Sequence, residues 1–288
     1  MLRLAACRTW VYSLLVGGTT LISGPRTARA HHDSGPQLPL SINLPGNVGG
    51  LSNPGVLTQN NVGVSTRAFR VSDHSLYNGV IGGDATVLLN ALHGAVGIGR
   101  TVALTAMLPM VSDLPDGDVQ GHTGLGDVRL GLRWLANNND AQAWSIAGEA
   151  SMPTGNTERG FGAGAVVSRA STRLSHDVSQ QLRLFAEAGV ALAWNEVRGT
   201  MADAALASVW QTTAVVGLFF EARVLTAVEQ GKVEVVGRAR KAGDTSVVLT
   251  PALTVAAGEH ISAALGPQIP LGFKDFDIGF AASVTYRL

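Results

Sequence analysis

The stretch Asp277-Ile-Gly-Phe-Ala-Ala-Ser-Val-Thr-Tyr-Arg-Leu288 alternates in polarity from one residue to the next. Successive side chains of a strand point to opposite faces, so one face of this strand would be apolar and the other mostly polar. The apolar face holds Ile278, Phe280, Ala282, Val284, Tyr286 and Leu288. The stretch suits a tilted bilayer crossing, with one face for lipid and one for an interior. It therefore predicts the closing strand of a membrane β-barrel.

The same alternation recurs upstream. In 125–135, Leu130, Leu132 and Trp134 alternate with Arg129 and Arg133, and similar stripes occupy 143–152, 182–194, 247–255 and 261–269. A soluble β-sandwich is the alternative, but it would not need charges opposite a lipid-like stripe on nearly every strand. We therefore predict an all-β fold: an antiparallel up-and-down transmembrane β-barrel of about twelve strands.

The segments between the stripes predict two kinds of connection. Short polar turns are expected at 137–140, 175–179 and 258–260, and longer loops at 111–123, 153–161, 195–208, 230–244 and 270–276. Segment 205–229 fits either one bent strand or a tight hairpin. Short and long connections alternate, as periplasmic turns and extracellular loops do in barrels, and an even strand number puts both termini on the periplasmic side.

The N-terminal segment has the features of an export signal. Arg3 and Arg8 precede an apolar run at 11–22, and Ala28-Arg29-Ala30 has the form of a cleavage site. We predict a signal peptide over 1–30, a flexible periplasmic lead-in over 31–60 and an outer-membrane β-barrel over 61–288. The expected location is the bacterial outer membrane, with membrane lipid and, through the C-terminal strand, the barrel-assembly machinery as partners.

Composition excludes several functions. The formal net charge is zero and charged residues make up only 15% of the chain. A nucleic-acid-binding surface needs an excess of Lys and Arg, so nucleic acid is not an expected partner. Cys7, the only cysteine, lies in the predicted signal peptide, so we expect neither disulfides nor thiol chemistry in the exported protein.

The alternation also predicts which charged side chains face the interior of the barrel. The lumen-facing candidates are Arg67, Asp127, Arg129, Arg133, Glu149, Arg183, Glu187, Glu221, Arg223, Asp277 and Arg287. They would either select solutes along a polar pathway or pair with one another in a plugged interior. The pattern gives the two hypotheses equal support.

No catalytic, cofactor or metal site is expected. Ser175-His176-Asp177 has the residue types of a hydrolase triad, but consecutive residues in a turn do not line up nucleophile, base and orienting acid. The exposed pair His31-His32 is a weak metal ligand at most.

Three motifs together resemble one family. Thr123-Gly-Leu-Gly-Asp-Val-Arg-Leu-Gly-Leu-Arg-Trp134, Met152-Pro-Thr-Gly155 and Gly266-Pro-Gln-Ile-Pro-Leu271 before a final Tyr-Arg-Leu are similar to motifs of the phenol-degradation MetA-pathway family of outer-membrane proteins. The resemblance spans roughly 56–288, although family members usually end in phenylalanine where this sequence has Leu288. It implies an outer-membrane transporter without a catalytic site.

The leading functional hypothesis is thus passive transport of small solutes across the outer membrane. Aromatic compounds are suggested only by the family's name, and metal-linked solutes only by the two N-terminal histidines. Two alternatives stay open: a structural or surface-interaction barrel with a plugged interior, and a membrane-embedded lipid-modifying enzyme. The enzyme would need a serine, a histidine and an acidic group at one rim of the barrel.

Overall fold

The computed structural model describes thirteen strands within residues 61–71, 85–98, 101–116, 121–138, 142–156, 161–162, 166–179, 181–194, 199–213, 215–228, 245–257, 261–271 and 278–287. Their bounds are β1 Asn61–Val71, β2 Ala85–Ile98, β3 Val102–Pro115, β4 His122–Leu125, β5 Arg129–Asn138, β6 Gln142–Ser151, β7 Val166–Asp177, β8 Leu182–Trp194, β9 Gly199–Gln211, β10 Val216–Ala227, β11 Thr245–Ala257, β12 Ile261–Leu271 and β13 Gly279–Arg287.

The strands form one closed antiparallel barrel. Each long strand pairs with its neighbour in the chain, and β1 closes the wall by pairing with β13, with Asn61 opposite Arg287. Twelve strands make up the wall, and β4 is a short thirteenth segment. The predicted up-and-down barrel of about twelve strands is confirmed. Each of the twelve long strands pairs on both sides in the described part of the chain, so their backbone polar groups are satisfied inside the wall, as a bilayer requires.

Strands β4 and β5 form one wall strand that is interrupted by a β-bulge at 126–128. Met107 of β3 pairs with Arg129 of β5, and three residues later Met110 pairs with Leu125 of β4, so the register changes by one residue. The Gly126 N–H donates to the carbonyl of Pro109 across the bulge at 2.9 Å. A bulge re-aims the side chains next to it, and here it turns Asp127 to the buried face.

The predicted apolar stripes lie on the outer face. Leu130, Leu132, Phe280 and Val284 are exposed, while the residues next to them on the opposite face of each strand are buried or half-buried. Apolar side chains that point outward from a closed barrel form the lipid-facing belt. The described residues include no helix that is long and apolar enough to cross a membrane.

Two tryptophans of this outer face have partners for their ring N–H groups. Trp144 donates to the hydroxyl of Thr172 at 2.6 Å, and Trp194 donates to the hydroxyl of Ser168 at 2.9 Å. Both hydroxyls belong to β7, which lies next to β6 and β8. A ring with one apolar body and one satisfied polar edge suits the membrane–water interface, where we expect these tryptophans to lie.

Five predicted connections were wrong in extent: 137–140 and 270–276 overlap the ends of β5 and β12 by two residues each, and the other three differ as follows. Positions 111–115 belong to β3, where the buried carboxylate of Asp113 accepts the His122 N–H at 2.5 Å. Positions 199–208 belong to β9, whose many alanines give little contrast between its faces. Strand β7 extends to Asp177, so the turn there begins at Val178. Polar residues that are satisfied inside a barrel look like loop residues in sequence.

The connections at the two ends of the barrel differ in length. At one end they cover 99–101, 139–141, 178–181, 212–215 and 258–260; at the other they cover 72–84, 116–121, 152–165, 195–198, 228–244 and 272–278. We call these the short-turn end and the long-loop end.

Segment 205–229 is a tight hairpin of β9 and β10, the second of the two alternatives. The predicted signal peptide and lead-in lie outside the described residues.

Candidate functional site: the interior of the barrel

The inner face of β5 to β10 carries a set of charged side chains, which we call the charged wall. Eight of the predicted lumen-facing residues lie on it, or beside it in the bulge: Asp127, Arg129, Arg133, Glu149, Arg183, Glu187, Glu221 and Arg223. All are buried except Glu149, which is half-buried. The side chains of Arg67 and Arg287, and the whole of Asp277, lie outside the described part of the structure.

Three charged residues of this wall were not predicted. Arg169 and Arg173 alternate with serines along β7, and this alternation in the sequence is the signal that could identify them. Asp203 lies in β9, in the part predicted to be a loop. All three side chains are buried, and they supply half of the central ion cluster.

Two carboxylates connect the arginines of this cluster. Glu187 lies 2.6 Å from Arg169, 3.2 Å from Arg173 and 3.3 Å from Arg223, measured between charged nitrogen and oxygen atoms. Asp203 accepts hydrogen bonds from Nε and Nη2 of Arg169 at 3.1 and 2.8 Å. Guanidinium groups that bridge carboxylates in this way hold both partners in fixed orientations.

Arg223 lies at the centre of the cluster and is fully buried. Its Nη1 donates to Asp203 at 2.5 Å, and its Nε donates to Glu221 at 3.2 Å. Together with the Glu187 contact, three arginines meet three carboxylates, so the cluster has no net charge. Buried charges are tolerated when they are paired, and every charged group of this cluster has an ionic partner within four adjacent strands.

Gly189 makes the longest of these contacts possible. Arg169 on β7 reaches across β8 to Asp203 on β9, and Gly189 lies directly opposite Asp203 in the sheet. A Cβ atom on Gly189 would lie 2.6 Å from Nη2 of Arg169, so any larger residue would displace the guanidinium. The requirement for glycine here is steric, because the arginine occupies the volume of the missing side chain.

Two further ion pairs flank the cluster. Arg133 and Glu149 are 3.9 Å apart, and Arg183 forms a two-pronged contact with Asp177 at the end of β7 nearest the short turn. Ion pairing therefore extends along most of the charged wall. The charges therefore pair with one another, as the second of our two hypotheses states, while its other part, a plugged interior, stays a prediction.

The opposite side of the interior has a different composition. The described inward side chains of β11, β12, β13, β1 and β2 are uncharged and mostly small: Ser, Thr, Ala and Gly, with Gln268 and His93 as the larger polar ones. We call this side the neutral wall; the side chains of Arg67 on β1 and Arg287 on β13, which the alternation predicts to face inward, lie outside its described part. Its polar atoms are hydroxyls, an amide and one imidazole, which offer hydrogen bonds without fixed charge.

At the long-loop end, Asp127 anchors the segment that follows β6. Its carboxylate accepts the Gly155 N–H at 2.8 Å, and the Thr154 hydroxyl accepts the Val128 N–H at 2.9 Å. Phe161 is buried against Gly124, where a Cβ atom would meet the ring at 2.6 Å. The glycines and the aspartate of the two sequence motifs thus join the bulge to the 152–162 segment, and they act on the architecture rather than on any chemical step.

The Ser175-His176-Asp177 sequence does not form a catalytic triad, for a reason that differs from our prediction. All three residues lie at the end of β7, where Ser175 is on the inner face and His176 is on the outer face. The carboxylate of Asp177 contacts Arg183. Within the described residues, no group of three or more His, Cys, Asp or Glu side chains could hold a metal ion.

Comparisons with known proteins agree with this architecture. A family model described as "Putative MetA-pathway of phenol degradation" matches residues 43–229. The COG4313 outer membrane channel from Pseudomonas putida F1 aligns with a TM-score of 0.62 at 13% identity, over 80% of this chain and 96% of that one. The NanC porin aligns with a TM-score of 0.55 at 10% identity, over 79% and 100%. No curated protein sequence matches the chain.

Proposed function

Because the chain belongs to the MetA-pathway phenol-degradation family and folds as an outer-membrane β-barrel, we propose that it is a passive channel for small uncharged solutes. Two of the solved structures with which it shares its fold are named as a channel and a porin. Their low identity supports the fold alone, so the proposal depends on the interior of this chain.

One observation carries the proposal: the positive and negative side chains of the charged wall cancel, and the inward side chains described on the opposite wall are uncharged. Three arginines and three carboxylates of the central cluster cancel. Ion selectivity in pores comes from rings or patches of unbalanced charge, and such a patch is absent from the described part of both walls. Hydroxyls and small apolar side chains along β11 to β2 would instead favour solutes without charge.

Conductance in planar bilayers tests this function. We expect small discrete steps with little preference for cations over anions, and passage of small uncharged solutes in liposome-swelling assays. Thr250→Asp places a carboxylate on the neutral wall and should create a preference for cations, while the neutral, similarly sized Thr250→Asn should not. Strong ion selectivity of the unmodified protein would contradict the proposal.

A closed structural barrel is the second candidate, and the buried cluster favours it. Every charged side chain of that cluster is at most 6% exposed, so it fills the interior next to β7 to β10. The same bilayer experiment separates the two functions. Silent bilayers from protein that remains folded in detergent would support the structural barrel. We propose that the chain is not an enzyme, and lipid turnover by the purified barrel would contradict this.

We further propose that the long-loop end faces the cell exterior, that the short-turn end faces the periplasm, and that β13 is read by the barrel-assembly machinery. Long loops on one end and both terminal strands at the other support this orientation. Trypsin added to intact cells should then cut within long-loop segments only. Efficient cleavage after Arg133 or Arg183, which lie inside β5 and β8, would contradict the topology.

A further inference from the structure

A groove of about 480 Å³ opens on the outer face of the wall, where β13, β1, β2, β3 and β4 lie side by side. A row of directly opposed residues crosses it, with Met110 of β3 and Leu125 of β4 at one end and Asn90 of β2 in the middle. Thr66 of β1 and Ala282 of β13 lie at the other end. Directly opposed side chains share a face of the sheet, and Met110 and Leu125 are exposed, so the row faces lipid.

The groove lies near the middle of the wall. Thr66 is the sixth of the eleven residues of β1, and Asn90 lies directly opposite it on β2. A tilted strand needs about 9–11 residues to cross the hydrocarbon core of a bilayer, so β1 matches that thickness and its middle lies far from both surfaces. Asn90 and Thr66 are therefore at the depth of the lipid tails.

The carboxamide of Asn90 is half-buried on this outer face and has few polar neighbours. Its outward neighbours along β2 are Leu88 and Leu92, and Met110 lies opposite on β3. Thr66 is the polar side chain opposite, and its single hydroxyl can bond only part of a carboxamide, which has two donor hydrogens and an oxygen with two lone pairs. Asn90 thus retains hydrogen-bonding capacity that faces the membrane.

The position of Asn90 differs from that of similar side chains on the outer face. The other described outward Asn, Gln and His side chains of the strands lie in the first or last two residues of a strand, where water and headgroups are near. Lipid tails offer no hydrogen bond, so an unpaired carboxamide costs free energy at the depth of Asn90. A polar group that itself lies inside the membrane would satisfy it.

We infer that this groove is the contact surface of a homodimer within the membrane, in which Asn90 of each copy hydrogen-bonds Asn90 of the other. A carboxamide both donates and accepts, so two of them related by a two-fold axis form two equivalent hydrogen bonds. Copies in one membrane share their orientation, so the axis follows the membrane normal and the β3–β4 side of one copy faces the β1–β13 side of the other.

The two sides that meet in this dimer differ in bulk. The β3–β4 side carries the exposed Met110 and Leu125, and methionine adapts to the shape of a neighbouring surface. The β1–β13 side carries the smaller Thr66 and Ala282 beside the groove. A bulky side therefore meets a low one in both halves of the contact. The dimer uses only the outer face, so it is independent of the function proposed for the interior.

Cysteine crosslinking in membranes tests the dimer. The full chain carrying Cys7→Ser and Thr66→Cys is produced in cells, and their outer membranes are treated with a short bismaleimide. A crosslinked dimer is expected, because an axis beside Asn90 brings the two copies of position 66 together. Leu206→Cys is the matched control, since Leu206 is 67% exposed on β9, on the opposite side of the barrel, and reports random collisions.

Asn90→Leu tests the hydrogen bond itself, because leucine has a similar volume and suits lipid. The barrel should fold as before in heat-modifiable gel migration, while self-association in detergent, measured by sedimentation equilibrium, should weaken about three- to twentyfold. Asn90→Gln keeps the carboxamide and should retain more of the dimer.

Equal crosslinking of Thr66→Cys and Leu206→Cys would overturn the dimer, and so would unchanged self-association of Asn90→Leu. A single barrel with one firmly bound lipid in native mass spectrometry would identify lipid as the occupant of the groove and would also overturn it.

Discussion

The charged wall and the neutral wall both present polar atoms to the interior, but they satisfy them in different ways. On β7 to β10 each arginine and carboxylate of the central cluster has partners on neighbouring strands, so the cluster ties four strands together. On β12, β13 and β2 two hydroxyls and one imidazole have no hydrogen-bond partner within the described structure, and on the charged wall the same holds for Nη1 of Arg169 and Arg173. The first wall adds ionic contacts between its strands, and the described part of the second does not.

The largest expected effect of a substitution is at the centre of the charged wall. Glu187→Gln removes the carboxylate that faces three arginines, and it should lower the free energy of unfolding by about 3–5 kcal/mol, because unpaired buried charge remains. Urea unfolding in detergent, followed by heat-modifiable gel migration, measures it. Thr250→Val on the neutral wall should cost no more than about 1.5 kcal/mol. Equal losses in the two variants would remove the distinction between the walls.

The two faces of β5 give the next effect. Leu132→Arg places a charge on the exposed lipid-facing side and should cost about 2–4 kcal/mol and impair assembly. Arg133→Leu, one residue later on the buried side, should leave the barrel folded and alter its conductance. Gel migration reports folding and planar bilayers report conductance. Normal folding of Leu132→Arg together with misfolding of Arg133→Leu would mean that the faces are reversed.

Gly189→Ala tests whether the ion cluster depends on close packing. The added methyl group would meet the Arg169 guanidinium, and moving that group away from Asp203 should cost about 1–3 kcal/mol. Gly148→Ala is the matched control, because no atom lies within 4 Å of the Cβ position there. That variant should be neutral or stabilised by up to about 1 kcal/mol in urea unfolding. A neutral Gly189→Ala would show that Arg169 moves without cost.

The smallest effect is expected at the bulge. Asp127→Asn keeps an oxygen for the Gly155 N–H but removes the negative charge, so it should cost about 1 kcal/mol and loosen the segment after β6. Faster trypsin cleavage after Arg159 in the folded barrel, with unchanged global unfolding, would show this local effect. Cleavage at the unmodified rate would mean that the aspartate does not hold the segment.

Sequence alternation predicted the barrel well where the two faces differ strongly. In β5 and β13, exposed leucines or aromatic residues alternate with charged or small polar ones, so the sequence indicates both the strand and the face that points outward. It failed in β9, where alanine occupies both faces and Asp203 looks like a loop residue. The predicted number of strands was even despite this error, because each hairpin contributes two strands.

The partners of the interior charges could not be predicted in the same way. Alternation states that Glu187 faces inward, but its three arginines come from β7 and β10, and their convergence depends on strand register and on the space at Gly189. On the neutral wall, the alignment of His93, Gly63 and Thr285 on three adjacent strands depends on the closing pair of strands, β1 and β13. The register between β1 and β13, which are far apart in the chain, depends on the arrangement of all the strands between them.

That closure has a consequence for how the barrel assembles. The β1–β13 seam joins the strands farthest apart in the chain, whereas every other seam joins neighbours through a connection, so the entropy of closing the chain falls mainly on one seam. Because Asn61 and Arg287 lie side by side, a short linker between them would turn the wall into a ring with no first strand. A circular permutant opened in the 212–215 turn would keep the same strand pairs and move the slow seam to β9–β10. The order of assembly then depends on the position of the chain termini, whereas the structure of the folded barrel does not.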